Sequence, residues 1–135
     1  MSKAAPYDYF YTKVMDLSVW VYTNILRFGK YENESVIKFA AADEKSNVLD
    51  YGCNTGRHAL IVKQAYGYNV MGADINPAAI SVTQRKGIPA ELITPEFFEK
   101  YKFSFDIIIN SHVLEHVDDP KDFLVNIRGL LKEDG

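Results

Sequence analysis

The sequence predicts an α/β domain with a doubly wound, mainly parallel sheet behind a helical N-terminal segment, on three observations. From residue 48 onward, short apolar runs of strand character alternate with stretches of helical length. Passages from strand to helix carry their own turn or cap, at Gly52–Gly56, Asn76-Pro77, Thr94-Pro95 and Asp119-Pro120. The strand runs are separated by helices, so crossovers must join them, and right-handed crossovers place helices on both faces of a parallel sheet.

Val14, Leu17, Val21, Ile25 and Phe28, spaced by three and four, predict an amphipathic helix over 14–28 with Gly29 as its stop. A second helical stretch covers 34–42, with Val36, Ile37, Phe39 and Ala40 as its apolar set, and the polar string 43–47 breaks it. Residues 1–45 are thus expected to form a helical cover. Eight aromatic side chains lie before residue 32, an apolar surface that must cover something or be covered. The sheet domain, residues 46–135, then begins. Val48–Tyr51 is its first strand, ended by the Gly52–Gly56 turn, and His58–Tyr66 is a helix closed by Gly67. Asn69–Asp74 is the second strand, and the helix opened by Asn76-Pro77 runs to Gly87. Pro89–Ile93 is a weaker strand, and Thr94-Pro95-Glu96 opens a short helix. Phe105–Asn110 is a strong, almost wholly apolar strand, and Asp119-Pro120 caps a last helix through Leu131.

A chain of 135 residues supports one core, and 47% apolar with 24% charged residues is far from the composition of disordered segments. Fifteen Lys and Arg against eighteen Asp and Glu leave a net charge of −3, so no global basic field draws the chain to nucleic acid or an anionic membrane. The single cysteine, Cys53, rules out an internal disulfide and leaves too few thiolates for a structural zinc site; no metal is expected. No basic stretch leads into an apolar signal core, and no apolar run reaches the roughly 18 residues of a membrane span, so a cytoplasmic setting is expected.

In doubly wound sheets ligands bind beyond the carboxyl ends of the strands, which singles out Asp50 to Gly56. Gly52 and Gly56 allow positive φ and close approach of backbone to a ligand, and Asn54 is the best non-glycine substitute for that geometry. Asp74 ends the second strand eighteen positions after Gly56, where a carboxylate can accept from both vicinal hydroxyls of a ribose. A glycine turn with this acid points to an adenosine-type ligand. The Gly-x-x-x-Gly spacing departs from the dinucleotide fingerprint, and Asp50 would oppose a pyrophosphate while suiting a ligand with positive charge. Asp50 also has an alternative reading as a side chain that stabilises the turn. Cys53 has no basic partner beside it and reads as a small buried residue rather than a nucleophile.

Val48–Gly56 resembles the first motif of the class I S-adenosylmethionine-dependent methyltransferases, Val70–Pro77 their second and Phe105–Pro120 their fourth, in order and at family spacing. The stretch Leu114 to Pro120 is similar to the subgroup that holds the ubiquinone and menaquinone methyltransferases. The resemblance implies a Rossmann-like sheet, S-adenosyl-L-methionine as cofactor, and methyl transfer to an oxygen, nitrogen or carbon of a small molecule. It places Asp50, Gly52 and Gly56 around the methionine part of the cofactor, with Cys53 and Asn54 in the same loop. Asp74 goes to the ribose hydroxyls and Ile75 to the adenine. Asn110, Ser111 and, as a further candidate, His112 go to the methionine end and the transferring methyl. Asn54 stands where the family's second glycine is usual. Leu92-Ile93-Thr94 offers no carboxylate to the adenine amino group, so a backbone amide or Thr94 would serve.

A sulfonium methyl is already activated, so alignment is the main catalytic demand and a base matters only for a poorly ionised nucleophile. His112, Glu115 and His116 are the candidates for that base, against a role in packing and loop structure. Tyr7, Tyr11 and Arg27 of the cover would reach the cofactor carboxylate or the substrate. Two rival readings are a cofactor-binding module without turnover and an NAD-type enzyme. The family sheet has seven strands and four are read here, so the last three are expected to be lacking. One edge of the 105–110 strand would then be exposed, and either a longer parent chain or a homodimer pairing across that edge is expected to cover it.

Overall fold

The computed structural model describes residue 21, residues 45–67 and residues 69–135. The helices expected over 14–28 and 34–42, and with them Tyr7, Tyr11 and Arg27, lie outside the described residues apart from Val21. Four strands, β1 (Asn47–Tyr51), β2 (Asn69–Asp74), β3 (Ala90–Leu92) and β4 (Ile107–Ile109), form a wholly parallel sheet in the order β3-β2-β1-β4. Helices α1 (Arg57–Tyr66) and α2 (Pro77–Arg85) carry the chain outward from β1 to β3. Helix α3 (Pro95–Lys100) leads back to β4 on the other side of β1, and α4 (Pro120–Arg128) follows. The strand order therefore reverses at β1, which brings the ends of β1 and β4 together where ligands bind in such sheets.

Side chains alternate across each strand. Leu49, Tyr51, Met71 and Ala73 share a cluster with Phe97 and Phe98 of α3 and Phe123 and Ile127 of α4. Tyr51 meets Phe123 edge-on at 5.6 Å between ring centroids, and Phe97 lies 4.8 Å from Tyr101. Val48, Asp50, Val70 and Gly72 take the opposite face, where Ala59 and Val62 of α1 and Thr83 of α2 are buried.

Helix entry follows the sequence closely. Asn76 Oδ1 accepts from Ala78 N at 2.9 Å, Thr94 Oγ1 from Phe97 N at 3.3 Å, and Asp119 Oδ1 from Lys121 N and Asp122 N. Each cap is followed by proline at the first helical position. Helix α1 has no side-chain cap, and Gly56 enters it in the left-handed conformation, φ 68°.

Several boundaries differ from expectation, and the third strand shortens from Pro89–Ile93 to Ala90–Leu92. The strand expected over Phe105–Asn110 narrows to Ile107–Ile109, and the last helix stops at Arg128 instead of Leu131. The segment leading into β4 and the one leaving α4 are tied together instead: Ser104 N and Phe105 N both donate to Leu130 O, and Phe105 pairs with Leu131 in a parallel bridge. Asp106 closes the same corner, accepting from Asn47 N at 2.8 Å and from Lys132 Nζ at 2.8 Å. No helix among the described residues is long and apolar enough to cross a membrane.

Candidate functional site

The turn after β1 is held by backbone bonds that run sideways to β2. Gly52 N and Cys53 N both donate to Ala73 O, at 2.8 and 2.9 Å, and Gly56 N returns to Cys53 O at 2.8 Å. Asn54 N donates to Asp74 Oδ2 at 2.8 Å. Gly52 (φ 76°), Asn54 (φ 48°) and Gly56 (φ 68°) all adopt the left-handed geometry that suits glycine and asparagine. A Cβ on Gly52 would collide with Val113 Cγ2, so this glycine admits the turn that follows β4.

Strand alternation sends Asp50 beneath this turn instead of onto a cavity wall. It is 2% exposed, and its Oδ2 accepts from Ala59 N, in the first turn of α1, at 3.0 Å. Burial lifts its carboxyl to about 6; the Ala59 bond opposes the rise and the charge of Asp74 adds to it. The position favours the turn-stabilising reading of Asp50 over direct ligand contact. Cys53 is also turned inward, its Sγ 3.8 Å from Thr83 Oγ1, and burial pushes its thiol up to about 11, which keeps it an inert thiol.

A cavity of about 530 Å³, the size of small-molecule sites, opens beyond the carboxyl ends of the strands. Of the residues expected at a site, Gly52, Asn54, Asp74, Ile75, His112 and His116 line it. Asp50, Cys53, Gly56, Asn110, Ser111 and Glu115 do not. Asp74 is aimed by two backbone donors, Asn54 N on Oδ2 and Asn76 N at 2.9 Å on Oδ1. Each carboxylate oxygen keeps acceptor capacity for one hydroxyl of a vicinal pair. Ile75 beside it is 78% exposed, an apolar side chain presented at the rim.

On the far wall the chain leaves β4 through His112, held at φ 57°, into a short helical turn, Leu114–His116. His112 Nδ1 lies 3.1 Å from Glu115 Oε1, so Glu115 reaches the cavity only through His112. Glu115 titrates below the usual carboxylate range, mainly through a bond to its own backbone, with His112 adding. Thr94, expected with an unspecified backbone amide to stand in for a missing adenine-side carboxylate, already caps α3 through its Oγ1, and among the nearby amides Ile93 N donates to Asp74 O at 2.9 Å.

The residues that sequence reasoning passed over are mostly apolar: Tyr51, Val113, Val117 and Phe123 also line the cavity, with Asn76 as a polar exception. The one sequence signal for Phe123 is its place four residues after the Asp119 cap, where a helix returns a side chain to the face of its first turn. A second cavity, of about 470 Å³, lies at the opposite end of the sheet beside Asn47 and Asn69. Its two lysines are engaged, Lys63 with Gly87 O and Lys100 with Glu91, so no free charge is aimed into it.

A parallel sheet whose point of reversal carries a glycine turn and an acid with acceptors to spare defines a nucleoside-binding domain of the doubly wound class. The chain belongs to the methyltransferase-domain family, whose model matches residues 25–135. It is 33% identical over 94 residues to the ubiquinone biosynthesis O-methyltransferase of Roseobacter denitrificans, across 65% of this chain and 38% of the relative. Among solved structures it superimposes on the YcgJ protein of Bacillus subtilis with a TM-score of 0.67 and 26% identity, covering 78% of this chain and 48% of that one. The geranyl diphosphate C-methyltransferase of Streptomyces coelicolor, solved with Mg²⁺, geranyl diphosphate and S-adenosyl-L-homocysteine, shares the fold at a TM-score of 0.69. Its identity is 17%, over 83% of this chain and 45% of that one. The chain spans less than half the length of each of these proteins.

Proposed function

We propose that the chain is the cofactor-binding part of an S-adenosylmethionine-dependent methyltransferase acting on a small-molecule acceptor. The observation that carries this reading is the direction of the turn amides. Gly52, Cys53 and Asn54 donate to the end of β2, and the first turn of α1 faces the buried carboxylate of Asp50. Neither arrangement offers the anion cradle a pyrophosphate needs, which weighs against the NAD-type alternative. When bound, S-adenosylmethionine supplies a methyl group on a sulfonium centre. Asp74 would hold the ribose hydroxyls, Ile75 would cover the adenine, and Gly52 and Asn54 would border the methionine part. The negative charge of Asp50 beneath the turn favours a cationic ligand above it. His112 and His116 stand where an acceptor would approach, with Glu115 orienting His112.

The relative named as an O-methyltransferase supports an oxygen nucleophile. A cytoplasmic setting belongs to the same reading, as does the absence of a nucleic-acid partner, which the net charge of −3 supports. Pairing of two copies would use the outer edge of β4, the terminal strand of the described sheet. Light scattering at high concentration checks it, with a clean monomer against it. Isothermal titration tests the cofactor assignment: the chain should bind S-adenosylhomocysteine more tightly than NAD, and Asp74→Ala should weaken that binding by about tenfold or more. Tighter binding of NAD would overturn the assignment. Binding without methylated product in any extract would favour the module without turnover.

A further inference from the structure

We infer that Thr83, on α2 and outside every recognised motif, is a positioning residue that sets the Asn54 peptide of the cofactor turn; the inference rests on the cofactor reading above. Thr83 is fully buried. A threonine inside a helix ordinarily turns its hydroxyl back to the carbonyl four residues earlier. Here the hydroxyl points out of its own helix and donates to Asn54 O at 3.0 Å, 29 positions away in sequence. Asn54 N is taken by Asp74 Oδ2 at 2.8 Å. The two peptide groups that flank Asn54 are thus fixed from two different elements, the end of β2 and the last turn of α2.

Asn54 needs that holding. It sits at φ 48° on the cavity wall, a conformation that a residue with a Cβ adopts at a cost unless its surroundings enforce it. The second branch of Thr83 has a separate task. A Cβ on Gly56 would lie 2.6 Å from Thr83 Cγ2 and 2.8 Å from Oγ1, and a Cβ on Gly72 would lie 3.3 Å from Cγ2. The methyl therefore fills the space that two glycines leave, one in the turn and one in β2. Serine supplies the hydroxyl without the methyl, and valine the shape without the hydroxyl; threonine supplies both.

The test pairs Thr83→Val with Thr83→Ser in the full chain and reads three quantities: amide hydrogen exchange at residues 54–56 without ligand, affinity for S-adenosylhomocysteine, and the urea midpoint. Thr83→Val is expected to speed exchange at 54–56 by about tenfold relative to the β2 amides and to weaken the ligand by about tenfold, the size of one lost hydrogen bond. Thr83→Ser is expected to hold affinity within about threefold even where its urea midpoint falls. Unchanged exchange and affinity in Thr83→Val would overturn the inference, as would a serine variant that loses as much affinity as the valine variant. Should the wild-type chain fail to bind S-adenosylhomocysteine, the cofactor reading falls; the exchange rates, which need no ligand, report separately on whether Thr83 holds the turn.

Discussion

The two faces of the sheet are made of different materials. Against α3 and α4 the strands set Leu49, Tyr51, Met71 and Ala73 among Phe97, Phe98, Tyr101, Phe105 and Phe123, large rings in edge and tilted contact. Against α1 and α2 they set Val48, Asp50, Val70 and Gly72 beside Cys53 and Thr83, small or polar groups joined by hydrogen bonds and close approach. The first face buries large rings, while the second packs small and polar groups directly beneath the glycine turn. Substitutions should therefore fail differently on the two sides.

The largest effect is expected from Phe97→Ala. Phe97 is 2% exposed and touches rings on both sides, so its loss should lower stability by about 3–5 kcal/mol in urea denaturation. A loss below about 1 kcal/mol would remove the distinction between the faces.

Asp50 sharpens the same contrast through pH. Its folded pKa of about 6 lies above the ordinary 3.8, so the folded chain holds this proton more tightly than the unfolded one. Its contribution is full below about pH 4 and disappears as pH rises through about 6, a change on the order of 3 kcal/mol. Asp106 and Glu91, whose pKa values are lowered by Lys132 and Lys100 respectively, push the other way and lose stability as pH falls. They are common to both proteins when wild type is compared with Asp50→Asn. The advantage of Asp50→Asn should grow from pH 4 to pH 7.5, and a pH-independent difference would contradict the burial of the charge.

Gly72→Ala comes next. Its Cβ would stand 2.8 Å from Cys53 Sγ with Thr83 behind, and the overpacking should cost about 1–3 kcal/mol. Adding Cys53→Ala should restore much of it, and a double-mutant cycle measures the coupling. The smallest effect belongs to His112→Gly. It relieves a left-handed backbone on an exposed residue, so stability should move by less than about 1 kcal/mol, in contrast to the buried glycine face.

Much of the fold was legible because its signals are local. Asn76-Pro77, Thr94-Pro95 and Asp119-Pro120 carry their caps within three residues, and Asp74 shows its place at the cavity by ending a strand. The ends of β4 and α4 were not legible, since Phe105 and Leu130 are drawn together by bonds between segments that neither segment reveals alone. The same holds for Val113 over Gly52 and for Thr83 under Asn54. The inward turn of Asp50 was readable in principle. Leu49 and Tyr51 share one face, and a strand residue between them must take the other.

The Asp106 corner sets a schedule. Asn47 N waits for a carboxylate 59 positions later, and that carboxylate waits a further 26 for Lys132. During synthesis at roughly 5–20 residues per second, β1 therefore spends several seconds outside the ribosome with one of its two flanks unmade. The strand that anchors the whole sheet is among the first of its strands to be born and the last to be enclosed, and a bound chaperone or slow folding phase is to be sought in that interval.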